Sequence, residues 1–418
     1  MSQDNKQVVK KEKKAKTQKF KKANPLIYLL FVIVSRILMF FKTKIKYGRN
    51  DLKKRNKKEG AVVLFNHQSN HDHFICAGAA GLSRLTFVVS NYYMRKPFTH
   101  FILTLVRAIP KVQFRTDLIS IRKMKRATDH RGLLTIAPAG QVTLNGDTPY
   151  VDPSIVKLLK LCKVDVYAIQ IKGGYLSFPK WRKVSKSRKG RVQADIVKVI
   201  SKEELATMSD QEVFDKVFES IDLSDRQFQN RINTKLKSNH MIEGLENVLY
   251  VCPKCKEKYT FASSGNEMKC SHCGNTIVMD EYARIHAKTS EDKCLDNESV
   301  WYNWQSDLIK EKYLSDDFNL VNKFKLYSNL KDEKVMDEVG EGVLTMTKNA
   351  LYYDGTLLNE RIHKEFNFEI LTQLPFSPGH HFEVPDGDGS FQFRPIDNPC
   401  TVVEWVQTID TISKMKRN

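Results

Sequence analysis

His67 and Asp72 are the residues of this chain best placed to do chemistry. They stand in Asn66-His67-Gln68-Ser69-Asn70-His71-Asp72-His73, directly after the apolar, strand-length run AVVLF at residues 61–65. A strand running into a polar turn is where α/β enzymes place reactive groups, at the carboxyl edge of the sheet. Imidazole, ordinarily titrating close to neutral pH, can take a proton from a hydroxyl and release it again. A carboxylate on its other ring nitrogen fixes the tautomer and stabilises the imidazolium. No Gly-x-Ser-x-Gly elbow accompanies the pair, so no covalent serine is required and Ser69 reads as a turn residue. His71 and His73 crowd the same turn and raise the question of a metal, but no further ligand cluster lies nearby in sequence.

A second constellation is made of thiols. Cys252 and Cys255 in CPKC, and Cys270 and Cys273 in CSHC, are separated by fourteen residues. Two such knuckles supply four soft ligands, enough to close tetrahedral Zn²⁺ with no open position. The pattern resembles a zinc ribbon, so the expected cofactor is one structural zinc ion, with His272 a spectator and disulfide pairing the alternative. Cys76, Cys162, Cys294 and Cys400 sit beside apolar neighbours and read as reduced core residues, which implies a reducing compartment.

The elements that must position these groups follow from pattern. Strands are predicted at 61–65, 132–137 and 164–171, alternating with helices, which gives an α/β layer architecture. DPSIVKLLKLCK (152–163) predicts a helix with Asp152 as N-cap and Pro153 in its first turn. Ser201/Glu204 and Ser209/Glu212 are capping boxes, and helix is predicted to continue to about residue 243. Further on, VWYNWQSDLIKEKYL predicts an aromatic-rich helix. GVLTMTKNALYYDG, FNFEILTQL, HHFEVPDGDG and SFQFRP alternate like strands. A last helix beginning at Asn398 and Pro399 places Val402, Val403, Val406, Ile409 and Ile412 on one face. Trp301, Trp304 and Trp405 read as core.

Charge divides the chain. Residues 1–60 carry nineteen Lys and Arg against four Asp and Glu, and residues 61–200 twenty-three against seven; the remainder carries twenty-six against thirty-seven. A basic half facing an anionic lipid or phosphate, followed by an acidic appendage, fits this better than one long nucleic-acid surface. Residues 1–23 read as a solvated lysine-rich tail. PLIYLLFVIVSRILMFF (25–41) is short for a spanning helix and contains Arg36, so it predicts an interfacial or half-inserted helix. Leu30, Ile33, Val34, Ile37 and Phe41 would face lipid while Arg36 snorkels. Basic flanks favour anionic headgroups and a body on the cytoplasmic face.

FNHQSNHDHF resembles the H-x4-D signature of the glycerol-3-phosphate and lysophosphatidic acid acyltransferase family, in which the His is general base and the Asp orients it. AIPKVQFRTD (108–117) is similar to the block that offers cations to the acceptor phosphate, which implies Lys111 and Arg115, and more loosely Arg122, for that role. IAPAGQVTLNG (136–146) stands at the Pro-Glu-Gly-Thr-Arg block. Pro138 and Gly140 are kept, Ala139 replaces the usual Glu, and Gln141 lies near the usual Arg. VDVYAIQIKGGYLSFPKW (164–181) is similar to the last block, most closely in bacterial members. The resemblance covers about residues 25–205. It implies His67 and Asp72 as catalytic residues and Asn66, Lys111, Arg115, Arg122, Gly140 and Gln141 as substrate-binding.

The expected organisation is a tail (1–23), a membrane helix (24–48), an acyltransferase domain (49–205), a helical linker (206–244), a zinc ribbon (245–285) and a β-rich unit similar to a PH or GRAM barrel (286–418). The expected activity is acyl transfer to a lysophospholipid hydroxyl, chiefly that of 1-acyl-sn-glycerol 3-phosphate. The donor is acyl-CoA, acyl carrier protein or acyl phosphate. The expected partners are these substrates and an anionic membrane, with no nucleic acid. The alternatives are a different lipid acceptor, or a membrane scaffold acting through the ribbon and the C-terminal unit.

Overall fold

The computed structural model describes residues 20–417 except 115–116, 184–187, 329–335, 367–370 and 387–388. The chain forms two compact units. One is built from Met1–Val142, Thr148–Gly174 and Arg191–Asp225, the other from Thr143–Asp147, Tyr175–Gly190 and Arg226–Asn418.

The first unit is organised by a seven-stranded sheet. In chain order its strands are β1 (Lys44–Asn50), β2 (Ala61–Phe65), β3 (Leu85–Ser90), β4 (Ile109–Lys111), β5 (Leu133–Ile136), β6 (Asp165–Lys172) and β7 (Arg191–Ile200). They lie in the order β1-β7-β6-β2-β5-β3-β4. The segment β6-β2-β5-β3-β4 is parallel throughout, and β7 joins it antiparallel to β6. All five residues of β2 are buried. An unbroken apolar run of this kind is what a strand covered on both faces requires.

Helix α1 (Pro25–Lys42) starts where the Asn24 side chain accepts from the Leu26 amide at 2.9 Å, with proline at the first helical position. Tyr28, Val32, Ser35 and Met39 form a narrow inward stripe. The residues expected to face lipid are all exposed, as are Phe40 and Leu26. At 18 residues the helix is long and apolar enough to cross a membrane by length and composition. Arg36 departs from the snorkelling expectation. Its guanidinium donates to the Gly78 carbonyl at 2.8 and 3.3 Å and lies over the Tyr47 ring. Gly78 belongs to the last turn of α2 (Asp72–Ala80), where carbonyls attract a cation, so a local partner outcompetes the headgroup region.

Helices α3 (Pro97–Leu105), α4 (Leu118–Asp129) and α5 (Ser154–Cys162) follow. α5 begins one residue later than its pattern suggests: Pro153 is the N-cap, and Asp152 accepts from the Ser154 amide at 2.7 Å. Both capping boxes form, opening α6 (Lys202–Thr207) and α7 (Asp210–Ile221). Leu205, Val213, Val217 and Ile221 pack into one core with Val62, Leu64, Leu134 and Leu159. The stretch expected to be a linker therefore belongs, as far as Asp225, to the first unit. Helix α8 (Asp225–Ile232) ends about eleven residues short of the expected point, and Lys237 instead pairs with Lys189 through their backbones.

The second unit contains a four-stranded antiparallel sheet of β8 (Phe261–Ser264), β9 (Glu267–Cys270), β10 (Thr276–Met279) and β11 (Ile285–Ala287). Helix α9 (Glu298–Leu314) precedes seven more strands: β12 (Asn319–Ser328), β13 (Asp337–Thr347), β14 (Leu351–Leu357), β15 (Glu360–Phe366), β16 (Phe376–Ser377), β17 (His381–Asp386) and β18 (Gly389–Pro395). They form one antiparallel sheet in the order β15-β14-β13-β12-β18-β17-β16. Helix α10 (Thr401–Arg417) closes the chain, with its five expected apolar residues all buried. Trp405 stacks on Phe382 and meets Phe324 edge-on. Trp301 is fully buried and Trp304 partly so. Of the expected strand FNFEILTQL, residues 367–370 lie outside the described residues, and 371–374 are not strand.

Candidate active site

Five loops leave the parallel part of the first sheet at its carboxyl edge, and they carry the blocks that are scattered in sequence. β2 delivers Asn66 and His67, β4 ends on Lys111, β5 runs into Pro138–Gly140, and β6 is followed by Gly173 and Gly174. β3 leads into the turn before α3. Parallel pairing explains the convergence, because it points every carboxyl terminus the same way.

The centre of the edge is the His67–Asp72 pair. Nδ1 of His67 lies 2.8 Å from Oδ2 of Asp72. Asp72 is the first residue of α2 and wholly buried, whereas the His67 side chain keeps 24% of its surface open. The carboxylate is held from several sides. The backbone amides of Gln68 and Ser69 donate to Oδ2 at 2.7 and 3.0 Å, and the Ser69 hydroxyl donates to Oδ1 at 2.7 Å. An acceptor fixed this way draws a proton onto Nδ1 and leaves Nε2 of His67 as the basic nitrogen. Ser69, read as a bare turn residue, is thus a ligand of the carboxylate; its spacing to Asp72, as in an ST-turn, was the available signal.

The two neighbouring histidines behave differently from a metal pair. Burial pushes His71 down to about 4, with Lys42 adding to the effect. Burial also takes His73 to about 4. Both are neutral at physiological pH. Among the described residues the groups close enough to hold a metal are the four cysteines of the second unit.

Asn66, expected on the substrate, is 2% exposed and fully engaged elsewhere. Its amide donates to the Ile171 carbonyl at 2.7 Å, and its oxygen accepts from the Ile171 amide at 2.8 Å. It therefore stitches the ends of β2 and β6 together. Gly174 lets that approach happen: a Cβ there would lie 2.9 Å from Cβ of Gln68. Gly173, at φ +82°, donates its amide to Asp225 at 2.7 Å.

The expected phosphate-binding residues divide. Lys111 is half-buried; burial lowers its pKa, against the opposing pull of Asp117 and Asp152, and its ammonium donates to the Val112 carbonyl at 2.9 Å. Arg122 is exposed on α4. Arg115 lies outside the described residues. Gln113 links two of the blocks. It accepts from the Ser90 hydroxyl at 2.9 Å and donates to the Gly140 carbonyl at 2.7 Å. Gly140 has φ +67°, a conformation that glycine takes without strain. Ala139 is buried, and the side-chain oxygen of Gln141 is buried with no hydrogen-bond partner among the described residues.

In the second unit, Cys252, Cys255, Cys270 and Cys273 bring their sulfurs within 4.8 Å of one another. The Cys252–Cys273 and Cys255–Cys270 separations are both 3.8 Å. Tetrahedral zinc with Zn–S bonds of ~2.3 Å requires S···S edges of about 3.8 Å, so the donor set fits the ion. Each knuckle ends on a left-handed residue, Lys256 and Gly274, whose amide returns to the first cysteine's carbonyl at 2.8 and 3.0 Å. The Asn275 amide donates to Cys252 Sγ, and the Thr260 hydroxyl lies 3.1 Å from Cys270 Sγ.

Residues 46–172 match the protein-family model described as Acyltransferase. The chain is also similar to the crystal structure of the 1-acyl-sn-glycerophosphate (LPA) acyltransferase PlsC from Thermotoga maritima. That likeness has 15% identity and a TM-score of 0.40, over 49% of this chain and 79% of that one. No curated protein matches the chain.

Proposed function

We propose, from the acyltransferase-type segment of the first unit, that this protein transfers a fatty acyl group from an activated donor to a lysophospholipid hydroxyl. The acceptor we favour is 1-acyl-sn-glycerol 3-phosphate, which gives phosphatidic acid. The observation that carries the reading is the half-open His67 backed by a buried, multiply bonded Asp72 at the carboxyl edge of the sheet.

In this reading Nε2 of His67 takes the proton of the acceptor hydroxyl as that oxygen attacks the acyl carbonyl. The new C–O ester bond forms and the bond to the thiol or phosphate leaving group breaks. The imidazolium returns its proton to the leaving group, and Asp72 stabilises the charged ring in between. Lys111, with Arg115, holds the acceptor phosphate through charge-assisted hydrogen bonds. Partial desolvation of Lys111 strengthens such a contact. Asn66, Ser69 and Gly174 act as positioning residues.

The four cysteines hold one structural zinc ion, which ties the two knuckles together and, with four thiolates, leaves no open position for a substrate. The exposed apolar face of α1 and its basic flanks lie in the headgroup region of an anionic membrane, with the catalytic body on the cytoplasmic face. The seven-stranded antiparallel sheet of β12–β18, followed by α10, supports a PH- or GRAM-like reading of that part of the second unit.

A second acceptor class is favoured by one observation. Ala139 and Gln141 leave the third block without a charged group and with a buried acceptor oxygen, which suits a headgroup that donates a hydrogen bond. One experiment decides between them. Purified protein is incubated with a panel of lysophospholipids and labelled acyl donors, and products are identified by mass. Phosphatidic acid as chief product supports the favoured acceptor, another diacyl lipid supports the second, and no acylated lipid with any pair overturns both.

A further inference from the structure

α3 is an apolar helix whose outer face is left uncovered among the described residues. It reads PFTHFILTL and buries none of its nine residues. Phe98 is 75% and Phe101 63% exposed, and Tyr93, Val112, Leu118 and Ile119 on the adjoining segments are exposed too. The patch is held firmly: the Thr99 hydroxyl donates to the carbonyls of Tyr93 at 2.6 Å and Lys96 at 3.0 Å.

We propose that α3 and the residues beside it form a second lipid-contacting surface, which lies against an anionic bilayer and, with α1, holds the carboxyl edge of the sheet at the membrane. The proposal rests on the membrane-bound reading of the protein and not on the His67 chemistry.

Position and charge carry it. α3 follows the carboxyl end of β3, as the catalytic turn follows β2, so patch and turn share one edge of the sheet. Lys42, which closes α1, is near enough to His71 to depress its titration, which places the Phe40–Phe41 end of α1 at this edge as well. Residues 73–116 contain no Asp or Glu and six Lys and Arg: Arg84, Arg95, Lys96, Arg107, Lys111 and Arg115. The first carboxylate after them, Asp117, is turned inward, accepting from the Ser120 amide at 2.9 Å and from its hydroxyl. An apolar helix with a rim of Arg95, Lys96, Arg107 and Lys111, the last of them drawn also to Asp117 and Asp152, carries net positive charge at its edge and matches the acyl boundary and headgroups of an anionic leaflet. The same rim argues against a second copy of this chain, whose like charges would meet face to face.

The test uses the full-length protein and vesicles of phosphatidylcholine with and without phosphatidylglycerol. Binding is read by co-sedimentation for the parent, the double variant Phe98→Ser/Phe101→Ser and the double variant Phe40→Ser/Phe41→Ser. Loss of two exposed phenylalanines from α3 should weaken binding to the anionic vesicles about tenfold or more. A direct probe is available because all four tryptophans, Trp181, Trp301, Trp304 and Trp405, lie in the second unit. Phe101→Trp places a lone reporter in the first unit, and its emission should be quenched by brominated lipid. Unchanged binding of the α3 variant with no quenching overturns the proposal, while loss in the α1 variant alone leaves the membrane reading standing. A parent that binds no vesicle removes the membrane reading and the proposal together. A shift in acyl-chain preference with unchanged vesicle binding makes α3 an acyl groove, and a change in oligomeric state makes it a subunit contact. Either result also overturns the proposal.

Discussion

The two units use the same kinds of polar residue in opposite ways. In the first, parallel strands send five loops to one edge, and His67 there is left partly open while its carboxylate partner Asp72 is sealed. In the second, antiparallel sheets return the chain on itself, and the chemistry-bearing groups point inward. The thiols face one another, Glu404 is buried against Lys258, and Trp405 gives its indole N–H to Asn322 at 2.8 Å. Topology decides the difference. Parallel strands must hand their side chains to loops at a shared end, whereas antiparallel strands alternate their ends between the two edges and gather nothing at either. Chemistry is accordingly expected in the first unit and metal-dependent stability in the second.

The sharpest way to break that division is to remove the metal site. Cys270→Ser leaves three thiolates for a tetrahedral ion, and structural zinc is worth roughly 10–16 kcal/mol to isolated finger peptides. Metal analysis should find one zinc in the parent and none in the variant. Tryptophan emission, which reports only the second unit, should move toward that of unfolded chain. Acyl transfer should survive at least in part, since the first unit has a core of its own. Transfer that vanishes with the metal and returns on adding zinc would show that the two units are not separable.

His67→Ala is the converse. It should lower turnover by ~10²–10⁴-fold, the usual contribution of a general base. Zinc content and tryptophan emission should stay as in the parent. Full turnover in this variant would end the proposed mechanism.

How much of this could be read from sequence follows the same contrast. The first unit was legible because β2 is a bare apolar run that stops just before Asn66 and His67, and both capping boxes form as spaced. What pattern could not give were partners remote in sequence. Arg36 has its carbonyl forty-two residues away, and Asn66 reaches one hundred and five residues to Ile171. In the second unit the thiol spacing carried the cluster of four cysteines, but β12 went unseen. Its inward alternation runs Leu320, Asn322, Phe324, Leu326, and the polar Asn322 interrupts it. That asparagine is there for the Trp405 indole, a contact eighty-three residues distant.

Ser69 refines the claim that the first unit is built around a held carboxylate. Ser69→Ala removes a fully buried hydroxyl from Oδ1 of Asp72, and a hydrogen bond to a charged group is typically worth ~1.5–3 kcal/mol. Part of that should be felt only when His67 becomes charged. Turnover should then fall about tenfold with KM for both substrates unchanged. A rise in acceptor KM with turnover intact would place Ser69 on the substrate instead.

The smallest effect separates the units by acid response. His71 and His73 titrate near 4 in the folded protein against an ordinary value of 6.5. Between those values the unfolded chain binds more protons than the folded one, so the first unit loses stability as pH falls from 6.5. Asp410 is the reverse case. Burial raises it from 3.8 to about 7, one of its oxygens has no hydrogen-bond partner among the described residues, and Glu404 is also raised by burial. There the folded chain keeps the extra proton, so these carboxyls contribute stability to the second unit over the same fall in pH. Each group contributes at most ~1.4 kcal/mol per pH unit, and partial exposure reduces that. Protonation of released thiols adds a loss to the second unit over the same fall, so each group is read by difference. From pH 6.5 to 5 the parent's midpoint advantage over Asp410→Asn, followed by tryptophan emission, should grow. Its advantage over His73→Gln, followed by labelling of Cys76, a buried thiol of the first unit, should shrink; changes of the same sign in both differences would overturn the contrast.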